Sequence, residues 1–127
     1  MRITVDEARE YFSHPSQQKG AGVHPDQLTD EFLYYARDGV CGVFHVIPWP
    51  HVWQGHYGVK PEAWGRTVKP ALSLLSEFWD DHQPQMIVGW TDSRNRQALS
   101  FARRLGFKEH GRMELPGQTV IMQGWIK

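Results

Sequence analysis

Three histidines, His45, His51 and His56, fall in one short stretch, and Tyr57 follows the last of them. An unperturbed imidazole changes charge between about pH 5 and 8, so each can take a proton from an amine or return one. The phenol of Tyr57 has an ordinary pKa of about 10 and so offers a proton rather than a base. Further on, Arg66 and Lys69 stand beside the start of an amphipathic segment. A helix N-terminus leaves about four backbone N–H groups unpaired and carries about half a positive charge, which suits an anion. Proton transfer and anion binding are the two chemistries these residues offer.

The segment from His51 to Phe78 must position them. It reads as a strand, Val52 to Val59, a turn at Lys60-Pro61, a loop containing Gly65, and a long helix. Strict alternation puts Gln54, His56 and Gly58 on one face of the strand and Trp53, Gly55, Tyr57 and Val59 on the other. In the helix, Val68, Ala71, Leu72, Leu75, Phe78 and Trp79 form an apolar stripe, and His82 to Pro84 ends it.

Ahead of this segment, Arg2 to Val5 predicts a short strand, and Asp6 is expected to cap a helix over Glu7–Phe12. Ser13 to Pro25 reads as a loop and Pro25 to Thr29 as a helical turn. Glu31 to Arg37 and Val40 to Ile47 predict two strands joined across Asp38-Gly39, a two-residue hairpin signal. With the third strand they make an antiparallel meander.

Beyond the long helix, Met86 to Trp90 predicts a strand buried on both faces, parallel to the third through a right-handed crossover. Asp92 or Ser93 is expected to cap a helix from Arg94 to Leu105, with Ala98, Phe101 or Ala102, and Leu105 inward. Gly106 ends that helix, and Phe107 to Leu115 with Thr119 to Ile126 make a last hairpin across Pro116-Gly117.

With 127 residues the chain is expected to be a single domain, 1–127. Its 14 basic and 14 acidic residues balance, which argues against nucleic acid or an acidic membrane as partner. Arg94, Arg96, Arg103, Arg104 and Arg112 form a local basic set, read as the solvated face of a helix. The single Cys41 excludes an internal disulfide framework, and no Cys-His spacing suggests a structural metal. No apolar run approaches the roughly 18 residues of a membrane span, and MRITVDEARE lacks a signal-peptide core, so the expected compartment is the cytoplasm.

The order of elements resembles the Gcn5-related N-acetyltransferase (GNAT) superfamily, an α+β fold with a mixed sheet. Locally, Asn95 to Gly111 follows the family pattern N-x-x-A-x-x-[FL]-Y-x-x-x-G-F-x-x-x-G, with Ala102 in place of the tyrosine. The likeness covers about residues 30 to 127. It implies an acyl-coenzyme A N-acyltransferase with acetyl-CoA as donor and a small-molecule or peptide amine as acceptor. Pantetheine would run along the end of the third strand, about Tyr57, Gly58 and Val59, with Asn95 and Phe101 near it. The diphosphate would sit on the loop from Gly65 through Arg66, Thr67 and Val68 to Lys69.

Here the chain departs from the family. Trp64, Thr67 and Lys69 replace the first residue and two glycines of the loop pattern [QR]-x-x-G-x-[GA], and only Gly65 remains. Glycines let backbone approach a diphosphate closely, so the side chains stand in the way unless Arg66 and Lys69 substitute for lost amide donors. Ala102 cannot return a proton to the coenzyme A thiolate; Tyr57 and the histidines are the candidates to replace it, and His56, close to where the resemblance puts the acceptor amine, is the candidate base. The alternative is a catalytically inactive GNAT-like protein, resembling some from tailed bacteriophages, that acts in head or virion assembly or as a binding module. Trp49, Trp53 and Trp64 would then supply a surface for a protein partner.

Overall fold

Asp38 and Gly39 both take positive φ, 47° and 84°, and reverse the chain between β2 (Leu33–Arg37) and β3 (Val40–Val46). The computed structural model to which they belong describes residues 1–18 and 23–127. The remaining strands are β1 (Arg2–Ile3), β4 (Val52–Val59), β5 (Met86–Asp92), β6 (Lys108–Leu115) and β7 (Gln118–Trp125). The helices are α1 (Val5–Phe12), α2 (Val68–His82) and α3 (Arg96–Leu105). One sheet takes the order β1-β2-β3-β4-β5-β7-β6. Every neighbouring pair is antiparallel except β4 and β5, as the crossover predicts.

Helices α2 and α3 cover one face of this sheet and α1 the other, and each interface has its own core. On the first face Phe44 lies flat on Phe78, ring centres 4.0 Å apart, among Tyr35, Ile87, Phe101 and Trp125. On the second, Phe12 and Ala8 of α1 pack with Leu28, Tyr34, Cys41 and Val43. Gly58 of β4 sits beneath Phe12, and a Cβ there would stand 2.9 Å from the ring. The absence of a side chain at Gly58 is what lets α1 lie so close to the sheet.

Several local expectations are corrected. Thr4, not Asp6, caps α1: its Oγ1 accepts from the Glu7 N–H at 3.2 Å while Glu7 Oε1 accepts from the Thr4 N–H at 3.1 Å. This reciprocal pair satisfies two donors, whereas Asp6 lies inside the helix and pairs with Arg9. Asn95 caps α3 by accepting from the Ala98 N–H at 3.2 Å. Asp92 is unavailable because Arg94 engages both its oxygens, through its backbone N–H at 2.9 Å and Nη2 at 2.8 Å. Leu74 joins the buried stripe of α2 and Leu99 that of α3. Residues 15–18 and 25–27 form 3-10 turns within the predicted loop and turn, and residues 19–22 of that loop lie outside the described residues.

The correction that matters for function concerns β5. It runs on to Asp92, and it is not buried on both faces throughout: Ile87 and Val88 are enclosed, but Trp90 is 40 % exposed. The parallel pairing with β4 covers only Val52–Gln54 against Met86–Val88. Past that point β4 stays with β3 as far as Val59, and β5 stays with β7 as far as Asp92. The sheet therefore splits open between Gly55–Val59 and Gly89–Asp92.

Substitution of Gly58 by Ala is expected to lower unfolding free energy by about 1–3 kcal/mol, the usual consequence of forcing a methyl into a packed contact. Gly111→Ala is the control, since a Cβ there meets nothing within 4 Å and should leave stability nearly unchanged. Equal urea midpoints for the two variants would overturn this account of α1 docking.

Candidate active site

The split between β4 and β5 is the mouth of a cavity of about 870 Å³. His56 and Tyr57 line it from β4, Trp90 and Thr91 from β5, and Asn95, Ala98 and Phe101 from the α3 end. β4 residues after Gln54 have no β5 partner, so their outward backbone groups face this space. One is already engaged: the Val59 N–H donates to Gln17 Oε1 at 3.2 Å.

Alternation on β4 holds as predicted. Tyr57 points to the α3 side, its ring centre 4.8 Å from that of Phe101. Burial raises the Tyr57 phenol above its ordinary value, with Arg104 opposing the shift, so the group carries its proton at neutral pH. Tyr57 thus presents a hydroxyl to the cavity from the strand opposite Ala102, where the resemblance leaves the helix without one.

His56 points to the α1 side. Its Nε2 lies 3.0 Å from Nε2 of His45, its diagonal neighbour on β3. Burial, and then His45, lower the His56 pKa to about 4. At neutral pH the ring is therefore uncharged and able to accept a proton. His51 is elsewhere: it occupies the turn before β4 at φ 64°, exposed, and its carbonyl accepts from the Gln85 N–H at 2.7 Å.

A second cavity, about 960 Å³, opens at the start of α2, and the two meet at Gly65, Thr67 and Arg104. Five cations border it, Arg37, Lys60, Arg66, Lys69 and Arg104, against the acids Asp38 and Glu62. Thr67 occupies the N-cap position of α2 without a side-chain hydrogen bond to the first turn, so the helix start has no internal cap. Lys60 already pairs with Glu10 at 3.6 Å and lies over the Tyr11 ring, and Arg66 donates to the Glu62 carbonyl at 2.9 Å. Among the described residues, Arg37, Lys69 and Arg104 make no ion pair.

Sequence reasoning selected Arg66 and Lys69 but missed the other three cations. Arg37 arrives because the β2–β3 hairpin ends beside the corner, where the Lys60 N–H donates to the Gly39 carbonyl at 2.9 Å. That neighbourhood was implicit in the meander, since Val40 must pair with Val59. Arg104 belonged to the basic set read as a solvated helix face; it is exposed, but toward this corner.

The other sequence candidates divide between the two cavities. Gly65 (φ 83°) and Thr67 border both, Arg66, Val68 and Lys69 border the corner, and Asn95 and Phe101 border the central cavity. Val59 is buried with its side chain in the α2 core and also lines the central cavity. Gly58 lines neither, and Phe12 covers its α1 face. The tryptophans are dispersed in role: Trp53 packs on Phe78, whereas Trp49 and Trp64 are 69 % and 53 % exposed. The Cys41 thiol is enclosed, and burial pushes its pKa up to about 12, so it is no nucleophile. No helix among the described residues is long and apolar enough to cross a membrane.

The depressed His56 pKa gives a stability signature. Below about pH 6.5 the unfolded chain takes up a proton that the folded chain refuses until about pH 4. Stability is thus expected to fall as pH drops through this window, and His56→Gln should flatten that part of the curve. Parallel wild-type and variant denaturation midpoints at pH 7.5 and 4.5 would contradict it.

No protein-family model matches the chain, and no curated protein matches it. Solved structures do. Spermidine N-acetyltransferase SpeG from Vibrio cholerae superimposes with a TM-score of 0.74 at 12 % identity, over 98 % of this chain and 92 % of that one. A ribosomal-protein-alanine N-acetyltransferase from Brucella melitensis gives 0.72 at 12 %, over 100 % and 98 %. The yncA protein from Salmonella typhimurium, solved with its cofactor acetyl-CoA, gives 0.69 at 12 %, over 98 % and 91 %. With the element order, the split sheet and these superpositions together, the chain has the GNAT acyl-coenzyme A N-acyltransferase fold.

Proposed function

We propose that this protein transfers an acyl group, acetyl in the first instance, from acyl-coenzyme A to a primary amine of a small molecule or peptide. The observation that carries this reading is the continuity of an open strand edge with a cationic corner. A long thioester with a diphosphate at one end matches that shape and charge. The corner residues fit a diphosphate despite Thr67 and Lys69: the helix start is uncapped, and cationic side chains surround it. Charged donors of this kind make stronger hydrogen bonds than neutral ones. Bound there, the thioester supplies the activated acyl group at the other end of the opening.

The protein's own residues divide the remaining work. Lys69, Arg66 and Arg104 hold the anionic end, and the free backbone groups of β4 hold the extended middle. Outward N–H groups in the stretch of β4 that has no β5 partner, between Gly55 and Tyr57, polarise the carbonyl under attack. Neutral His56, directly or through water, takes the proton that the amine gives up as its nitrogen bonds to carbon. Tyr57 donates its proton to the departing thiolate, and solvent returns one to it from His56. The products are an amide and a thiol. The relatives named above acetylate spermidine and a ribosomal-protein alanine by their titles, and an amine acceptor is carried over from them as a class only.

A second reading, a GNAT-fold assembly or binding protein without chemistry, draws support from the lost loop glycines and from exposed Trp49 and Trp64. Calorimetry with acetyl-CoA separates the two. Micromolar binding that weakens about tenfold in Lys69→Gln or Arg104→Gln is expected, the effect of losing one charge-assisted bond. No heat at millimolar acetyl-CoA would end the enzyme reading. With binding in hand, His56→Ala should cut turnover of an amine by about a hundredfold or more, and unchanged turnover would remove His56 from the mechanism.

A further inference from the structure

The contact between His45 and His56 has an internal logic that decides which nitrogen can act. The two Nε2 atoms are 3.0 Å apart, within hydrogen-bond range. The ring centres are 5.1 Å apart and the planes 14° from parallel. That separation is close to the nitrogen distance plus a ring radius at each end, so the rings meet edge to edge. Such a contact needs one N–H and one bare nitrogen. On its other side, His45 Nδ1 lies 3.4 Å from the carbonyl oxygen of Val46. A carbonyl only accepts, so Nδ1 of His45 carries a proton, and in the uncharged ring its Nε2 is then bare. Nε2 of His56 must then be the donor, which leaves Nδ1 of His56 without a proton.

We propose that His45 is a positioning residue that fixes the tautomer of His56, making Nδ1 of His56 the atom that accepts the amine proton. The proposal rests on the acyl-transfer reading above for its role, though not for its geometry. His56 Nδ1 has no hydrogen-bond partner among the described residues, and His56 lines the central cavity. His45 is itself held: Phe32 stacks on its ring at 4.7 Å, 28° from parallel. Burial keeps His56 uncharged at neutral pH, so the tautomer, not the charge state, decides its competence. A base held in the wrong tautomer retains its geometry and loses its function.

Nitrogen NMR of the full-length protein, labelled in histidine, reads the tautomer directly at neutral pH. The expected spectrum has His56 protonated at Nε2 and His45 at Nδ1; a His56 proton on Nδ1 overturns the proposal. Two variants then test the role. His45→Gln places an amide oxygen where Nε2 stood and keeps an acceptor, whereas His45→Phe keeps the ring stack and removes it. With acetyl-CoA and either spermidine or an alanine-ended peptide as probe amine, His45→Phe is expected to lower kcat about tenfold or more at unchanged KM for acetyl-CoA. His45→Gln should recover most of that loss. Equal turnover in the two variants, or no loss in either, overturns the positioning role. If the wild-type protein turns over no amine, the acyl-transfer reading fails on its own, and the spectrum still decides whether His45 sets the tautomer.

Discussion

Everything at the candidate site depends on two parallel strands parting company after three residues. Strands β4 and β5 pair only from Val52 to Gln54 against Met86 to Val88. A continuous ladder would satisfy its own backbone groups and leave nothing to bind an extended ligand. The separation is stable because each strand keeps its outer neighbour: β3 runs beside β4 to Val59, and β7 beside β5 to Asp92. Helices flank the β4 side of the opening, with Phe101 of α3 against Tyr57 on one face and Phe12 of α1 over Gly58 on the other.

This arrangement distributes the chemistry by face. Because side chains alternate along β4, adjacent residues serve opposite sides of the opening. His56 looks toward the α1 layer, where burial and then His45 lower its pKa. Tyr57 looks toward α3, where burial keeps its phenol protonated. An uncharged imidazole and a protonated phenol thus stand at neighbouring positions and face opposite sides of the sheet. The cationic corner lies beyond both, at the strand's end, where the Lys60 N–H ties the turn to the β2–β3 hairpin.

Much of the architecture was legible in the chain. Asp38-Gly39 announced its turn, the α2 stripe its buried face, and Gly106 the end of α3, because each depends on residues close in sequence. The α1 cap was legible too, since Thr4 and Glu7 have the spacing of a capping box; the acidic residues of the first turn drew attention to Asp6 instead. Other features depend on contacts between distant segments. The burial of β5 fades after Val88 because its partner leaves, which no composition within MIVGW can signal. Arg37, Lys60 and Arg104 converge from a hairpin, a turn and a helix, so their grouping emerges only once the sheet is assembled. The His45–His56 bond is likewise a product of register between β3 and β4.

The corner at α2 also bears on how such a site changes over generations. A cradle made from backbone amides is fixed by the fold and alters only when the loop is rebuilt. Here Thr67 and Lys69 stand where the resemblance expects glycines, and cations from separate elements border the space. Each of those side chains can be exchanged by one substitution while the helix start keeps its shape. On the acyl-transfer reading proposed above, a preference for one anionic group over another rests on those side chains and not on the scaffold beneath them.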